Sequence, residues 1–239
     1  MRPFRAVCVC CLIAFISSPG RASGDSIDAL KASAGGGDRQ SQYRLAVAYR
    51  TGNGVPQSSS QATYWLTLSV TQCYGPAMDM LGEMYAAGDG VGQNDATAAR
   101  LFRLASAQRD AGGFYDWAVA LLENKAFIEQ ASGDAALAPH CTLLNAATDV
   151  APVANTPAQE LYAGDPAALR PAGVRYLRLS ANAGEVRAYL KLGSLYETGA
   201  DGVVQNYGEA ARWYARAAAS GNPEAKRRLD SLHASGKIP

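Results

Sequence analysis

The residues that could make this chain an enzyme are few, and they do not form a known catalytic pattern. Its two histidines are His140 and His233, and no H-E-x-x-H zinc motif is present. The chain also lacks the S-x-x-K and G-x-S-x-G patterns, which place a serine nucleophile beside its base or in a strained turn. His140 is followed by Cys141, but a structural zinc site normally takes four ligands and no cluster completes this pair. The sequence therefore predicts no catalytic residue, no metal site and no cofactor.

Glycines lie close together between Leu81 and Val91 and suggest a second kind of site, a loop that cradles phosphate. Close copies of this stretch begin at Leu45 and Leu192, and in each copy a tyrosine-bearing helix precedes the glycines and another helix follows them. Phosphate-binding glycine loops follow a β-strand instead. We therefore predict that these glycines are turns of a repeat, where they supply backbone angles that a side chain would oppose.

The spacing of the copies predicts an all-α protein, an α/α superhelical solenoid of helical hairpins. Leu45 and Leu81 are 36 residues apart, and Leu192 lies 111 residues further on, which is three times 37. A period of this size is typical of stacked hairpins. The predicted solenoid covers residues 25–235 and begins with a short helix that shields the first repeat. Its repeats are residues 39–75, 76–111, 112–184 and 185–221, followed by a C-terminal cap helix over residues 222–235.

An insertion splits the third repeat. Residues 117–121 take the place of residues 81–85, but the glycine motif does not follow, and residues 125–170 lack the repeat pattern. The pattern resumes at Pro171, which we predict to be the first residue of a helix. Long irregular loops in compact domains are usually functional or disordered, so the insertion is a candidate docking segment.

The N-terminus has the features of a secretory signal peptide over residues 1–22. Arg2 and Arg5 precede an apolar core from Ala6 to Ile16, and small residues lead to a cleavage site after Ala22 or two residues later. The apolar run is shorter than the roughly 20 residues that span a bilayer, which disfavours an uncleaved anchor. We therefore expect a bacterial Sec-type signal, a periplasmic or secreted protein, and no integral membrane segment after cleavage.

Cleavage changes the charge and the cysteine content. The signal contains three of the 22 basic residues and no acidic residue, which leaves 19 basic and 21 acidic residues and a net charge of −2. This balance gives no electrostatic reason to expect nucleic acid or an anionic membrane as a partner. Only Cys73 and Cys141 remain of the five cysteines. In an oxidising compartment such a pair can form a disulfide, and two buried free thiols are the alternative.

The repeat pattern can now be compared with known repeats. The order L-G/A-x-x-Y-x-x-G-x-G-V, a W/L-aromatic-x-x-A helix and a small-residue-glycine turn resembles the Sel-one-like repeat (SLR), a relative of the tetratricopeptide repeat. The resemblance covers about residues 39–110 and 171–231. It implies a right-handed superhelix that acts as an adaptor or scaffold for protein complexes, in bacteria often exported. Some exported relatives have a disulfide in each repeat and have been linked to penicillin binding or β-lactam hydrolysis, but this chain lacks their paired cysteines.

By analogy with related hairpin repeats, the first helix of each repeat is expected to line a concave binding face. The predicted partner-binding residues are Tyr43, Val47, Arg50, Asp79, Glu83, Tyr115, Val119, Glu123, Arg187, Leu190, Ser194 and Glu197. Acidic residues recur along this line, which favours a basic or amine-bearing segment of a protein or peptide partner. For any single residue the alternative is an ordinary solvated helix face.

The function predicted from the sequence is therefore an exported, non-catalytic interaction scaffold. Two alternatives stay open. The first is a cell-wall-related hydrolase or a β-lactam-binding protein of the cysteine-rich type. The second is an accessory subunit in which the insertion, rather than the concave face, binds the partner.

Overall fold

The structure is a computed structural model that describes residues 27–123, residue 141 and residues 166–239. The predicted signal peptide and most of the insertion lie outside these residues. The described residues form α-helices and no strand. The helices are α1 (Ile27–Gly35), α2 (Arg39–Thr51), α3 (Ser59–Thr71), α4 (Gly75–Ala87), α5 (Asp95–Ala107), α6 (Ala111–Glu123), α7 (Pro166–Asn182), α8 (Val186–Thr198), α9 (Tyr207–Ala219) and α10 (Pro223–Ala234).

Four helical hairpins follow one another in the described part of the chain, which confirms the predicted all-α solenoid. The hairpins are α2 with α3, α4 with α5, α6 with α7, and α8 with α9. We call the first helix of each hairpin the A helix and the second the B helix. Helix α1 packs on α2 and helix α10 packs on α9, so each end of the stack has a covering helix. In the described part of the chain, no helix is both long enough and apolar enough to cross a membrane.

The A and B helices pack through a small residue that follows the repeat leucine. A Cβ atom added to Gly82 would lie 2.6 Å from Cε1 of Phe102, and one added to Gly193 would lie 2.5 Å from Cε1 of Tyr214. The first and third repeats have alanine and leucine in these two places, and all four of those side chains are buried: Ala46, Leu66, Ala118 and Leu177. Glycine therefore lies against an aromatic ring in repeats two and four, whereas the corresponding buried positions of repeats one and three hold alanine and leucine.

The paired glycines form turns, as the sequence predicts. Gly88 ends α4 in the left-handed conformation with φ 71°, and its N–H donates to the carbonyl of Met84. Gly90 has φ 72°, and a Cβ atom added there would lie 2.7 Å from the backbone of Ser59. This glycine thus allows the loop of repeat two to contact the beginning of α3.

The split third repeat closes in the same way as the first. The hydroxyl of Ser180 in α7 donates to the carbonyl of Ala111 at 2.8 Å, and Ser69 makes the equivalent bond to the carbonyl of Arg39. The prediction that this helix begins at Pro171 was wrong, because α7 begins at Pro166. Pro166 takes the first helical position, where the missing N–H costs nothing, and Pro171 lies inside the helix. Residues 166–170, predicted as insertion, therefore belong to the repeat.

A disulfide joins Cys73 to Cys141, with the two Cα atoms 5.3 Å apart. Cys73 lies in the turn between α3 and α4 with φ 57°, and Cys141 is buried in the core of the first two repeats. Of the two alternatives that the sequence left open for these cysteines, the structure has the disulfide. Residue 141 is thereby attached to the turn before repeat two, although α6 and α7 flank the insertion in repeat three.

Candidate functional site

The predicted binding residues all lie on A helices, and none of them is fully buried. Asp79 and Glu83 of α4 occupy two positions that hold tyrosine and valine in both neighbouring repeats. These flanking residues are Tyr43 and Val47 of α2, and Tyr115 and Val119 of α6. Repeat two thus places two acids between two tyrosine-valine pairs. We call the surface formed by α2, α4, α6 and α8 the A-helix face.

Ion pairs cross this face from α2 to α8. Nη1 of Arg50 lies 3.0 Å from Oε2 of Glu83, and Nη1 of Arg187 lies 3.7 Å from Oε1 of the same carboxylate. Arg187 also pairs with Asp116 at 3.3 Å and with Glu185 at 3.0 Å. Its guanidinium carbon lies 4.6 Å from the centre of the Tyr115 ring, a cation–π distance. The face therefore already holds one guanidinium between an aromatic ring and carboxylates.

Asp79 and Asp116 form an acid pair beneath this network. Burial, together with the negative charges of Asp116, Asp110 and Glu83, raises the pKa of Asp79 to about 9. Burial also raises the pKa of Asp116 to about 6, while Arg187 and a hydrogen bond with Asp79 oppose that rise. Asp79 Oδ1 is buried and has no hydrogen-bond partner among the described residues, whereas the buried Asp116 Oδ2 is the oxygen that lies 3.3 Å from Nη2 of Arg187. At neutral pH Asp79 is thus the protonated member of the pair.

Burial also raises the pKa of Asp110, which precedes α6, and the N–H of Gly113 opposes the rise by donating to its carboxylate at 2.8 Å. A Cβ atom added to the neighbouring Gly112 would lie 2.2 Å from Asp79 Oδ2. A side chain at position 112 would therefore displace the Asp79 carboxyl group. Oxygens of Asp79, Glu83 and Asp116 lie within 4.8 Å of one another, close enough to share one cation. Since Arg187 already supplies positive charge there, we assign no metal ligands.

An open cavity of about 660 Å³ lies between α4 and α6, and we call it the groove cavity. Its walls are apolar and its rim carries three carboxylates. The lining residues are Glu83, Ala86, Ala87, Phe102, Asp116, Val119, Ala120 and Glu123. Three of them, Glu83, Val119 and Glu123, are among the predicted binding residues. The combination of small apolar side chains and acids suits a group that is apolar along its length and cationic at its end.

The C-terminal half of the face has a smaller cavity of about 270 Å³. Its lining residues are Tyr115, Arg187, Leu190, Lys191, Ser194, Tyr214, Asn222, Glu224 and Arg228. The acids in this half have partners close by: Glu197 accepts a hydrogen bond from the Tyr214 hydroxyl at 2.7 Å and lies 3.7 Å from Arg228. Glu123 is paired with Lys191. In the C-terminal half of the face, the negative charges of these acids are therefore balanced by neighbouring basic side chains.

Sequence reasoning missed Asp116 and Lys191 of this face, and also Glu185 and Arg228, which lie beside it before α8 and on α10. The prediction followed one stripe of each A helix, whereas the face is wider than one stripe. Asp116 follows Tyr115 directly, so widening the stripe by one residue would have found it. The rings of Tyr43 and Tyr74 pack edge to face, with their centres 5.6 Å apart. This contact positions Tyr43 beside the acidic residues of α4. Val47 is half-buried and lies beside these groups in α2.

The chain is similar in sequence and in structure to known repeat proteins. The Sel1 repeat family matches residues 39–72, 75–110 and 186–222. A Sel1 repeat protein from Oxalobacter formigenes is similar in structure, with 22% identity and a TM-score of 0.59 over 89% of this chain and 66% of that one. The c5321 protein of uropathogenic Escherichia coli, a protective antigen with an SLR fold, gives 23% identity and a TM-score of 0.44 over 89% of this chain and 44% of that one.

This chain thus spans just under two thirds of the first of these proteins and less than half of the second. Among curated proteins, none matches its sequence significantly. The matched repeats are the first, second and fourth of the four hairpins, and the split third hairpin has the same A-to-B packing. Three of the four hairpins are thus Sel1 repeats, and the solenoid that they form is similar in fold to a known Sel1 repeat protein.

Proposed function

We propose that this Sel1 repeat protein is an exported scaffold that binds a basic segment of a protein partner on the concave, A-helix face of its repeat stack. The groove cavity is the observation that carries the proposal. Its apolar walls include Phe102 and Val119, and its rim has the carboxylates of Glu83, Asp116 and Glu123. An arginine or lysine side chain has matching chemistry, because its methylene groups are apolar and its head is cationic.

The residues around the cavity support a cationic ligand. Asp79 is protonated at neutral pH, and the other four acids of this region, Glu83, Asp110, Asp116 and Glu185, still outnumber the two neighbouring arginines, Arg50 and Arg187. Tyr43 and Tyr115 border the acids, and Tyr115 already stacks on one guanidinium. A second guanidinium would find both an aromatic ring and carboxylates, the two groups that favour it in proteins.

A scaffold role agrees with the family, whose members are generally protein-interaction scaffolds rather than enzymes. Export is supported by the charged, apolar and small-residue order of residues 1–22. The Cys73–Cys141 disulfide supports it independently, because such bonds persist in oxidising compartments. Cell fractionation and the mass of the purified protein test this part. We expect a periplasmic or secreted chain that begins at residue 23 or 25, and an intact N-terminus would contradict it.

Binding of a labelled hexa-arginine peptide with blocked termini, measured by fluorescence anisotropy, tests the groove. The double substitution Glu83→Gln and Asp116→Asn should weaken binding at least about tenfold, because it removes two rim charges without changing side-chain size. The matched control is Glu209→Gln with Asp230→Asn, which makes the same charge change on α9 and α10. Equal weakening by both pairs would attribute binding to net charge and contradict the groove.

A deletion separates the groove from the insertion as the binding element. The deletion should remove residues 125–164 and be combined with Cys73→Ser. It must stop before Pro166 because α7 begins there and Leu169 is buried. Retained peptide binding with native helicity supports the groove. Lost binding with native helicity supports the insertion.

A further inference from the structure

The acid pair of Asp79 and Asp116 is unusual because it lies where three consecutive A helices meet. Asp79 is on α4, Asp116 is on α6, and Arg187 of α8 lies 3.3 Å from Asp116. Oxygens of the two carboxyl groups lie within 4.8 Å of each other, and Oδ1 of Asp79 is buried without a hydrogen-bond partner in the described part of the chain. Two carboxylates this close repel each other strongly, so one proton held between them stabilises the pair.

The other charged and titratable groups that face the pair increase this repulsion more than they relieve it. Glu83 of α4, Asp110 before α6 and Glu185 before α8 add negative charge. Arg187 relieves the repulsion directly, and Arg50 of α2 relieves it through Glu83. Tyr43 and Tyr115 also border these acids, and burial raises the pKa of each hydroxyl, so both are neutral at physiological pH.

We propose that Asp79 and Asp116 share one proton in the free protein and release it when a cationic group of the partner enters the groove cavity. The inference rests on the proposed function, since it concerns the regulation of the same site. Asp116 belongs both to the pair and to the cavity lining, so an incoming cation meets the pair directly. The added positive charge allows both carboxylates to ionise, and the proton passes to solvent or buffer. Partner binding is then a proton-linked exchange that strengthens as pH rises.

The free protein provides the first test, a carbon-detected NMR titration of the aspartate carboxyl groups. The carboxyl group of Asp79 should titrate above pH 7, in line with a pKa of about 9. Titration near the ordinary value of about 4 would overturn the shared proton without any ligand being needed.

Isothermal titration calorimetry with the blocked hexa-arginine peptide provides the second test. Heats at pH 7.5 are compared in phosphate and in Tris, whose ionisation enthalpies differ. The wild type should release between about half and one proton per peptide, and its association constant should rise by up to about tenfold per pH unit between pH 7 and 9. The Asp79→Asn variant imitates the protonated acid, so it should bind with no proton release. Asp230→Asn, an exposed acid on α10, should behave as the wild type.

These outcomes separate the two proposals. Binding with equal heats in both buffers would overturn the proton exchange and leave the scaffold function intact. Proton release that persists in Asp79→Asn would also overturn it, because the proton would then come from another group. Absence of peptide binding at every pH would overturn the proposed function, and the proton release with it.

Discussion

Repeats two and four are alike in how they pack and unlike in what they present on the A-helix face. Each has a glycine opposite a buried aromatic ring, Gly82 with Phe102 and Gly193 with Tyr214. Each ends its A helix at a glycine in the left-handed conformation. The face positions differ, since Asp79 and Glu83 of repeat two correspond to Leu190 and Ser194 of repeat four.

This comparison separates the residues that build a repeat from those that give it a function. In repeat four the nearby acid Glu197 has both a hydroxyl and a guanidinium close by. In repeat two Asp79 has a buried oxygen without a hydrogen-bond partner and a strongly raised pKa. Unpaired buried polar atoms are costly, so their presence at a surface cavity favours a role in binding over a role in stability.

The largest expected effect concerns the turns that lead into these repeats. Gly184 precedes repeat four with φ 93°, whereas Cys73 precedes repeat two with φ 57° and forms a disulfide across 68 residues. The double substitution Cys73→Ser and Cys141→Ser should lower the free energy of unfolding by about 2–4 kcal/mol, since it frees a long loop in the unfolded chain. Urea unfolding followed by circular dichroism measures this loss. An unchanged midpoint in non-reducing buffer would show that the bond is absent or contributes nothing.

The next effect tests the packing that the two repeats share. Gly82→Ala should destabilise the protein by about 1–3 kcal/mol, because the new methyl group would overlap the Phe102 ring. Repeats one and three use alanine with leucine in these places, so Phe102→Leu should relieve the overlap. A double-mutant cycle measures the coupling, which should favour the double variant by about 0.5–3 kcal/mol. If the losses in the free energy of unfolding of the two single variants simply add, the proposed contact between residues 82 and 102 is contradicted.

Much of the fold could be predicted from the sequence because the residues that pack the helices recur in each copy of the repeat. The leucine, the small residue after it and the paired glycines recur at a fixed period, so helix ends and buried faces follow from several copies. The sequence favours Pro171 as the beginning of α7, because that proline fits the first helical position. Pro166 fits it equally well, and only the three-dimensional arrangement distinguishes the two.

The candidate site was less predictable for a different reason. The residues on the A-helix face vary between repeats, so a prediction made for one repeat cannot be checked against the others. Asp79, Glu83 and Arg187 were found by counting along one stripe, but Asp116 lies one residue beside it. The acid pair also depends on the position of the Asp79 carboxyl group, which lies where a side chain at Gly112 would be.

The two repeats should also differ in how their stability responds to pH. Folding raises the pKa of Asp79 from about 4 to about 9, so the stability linked to its proton is complete below pH 4 and is lost as pH rises towards 9. Asp79→Asn should therefore melt at a higher temperature than the wild type at pH 8, and the difference should shrink towards pH 5. Differential scanning calorimetry measures both values. The control Leu190→Asn, at the corresponding position of repeat four, should show no such dependence on pH, and an equal pH dependence in both variants would contradict the assignment to Asp79.

The most direct measurement replaces the face residues of repeat two with those of repeat four. The variant Asp79→Leu with Glu83→Ser keeps the shared packing residues and removes the acids, and circular dichroism checks that the helices are intact. If repeat two contributes the binding chemistry, this variant should bind the blocked hexa-arginine peptide at least about tenfold more weakly than the wild type. Native affinity in a folded variant would contradict the central claim, because the acids between the two tyrosine-valine pairs would then have no part in binding.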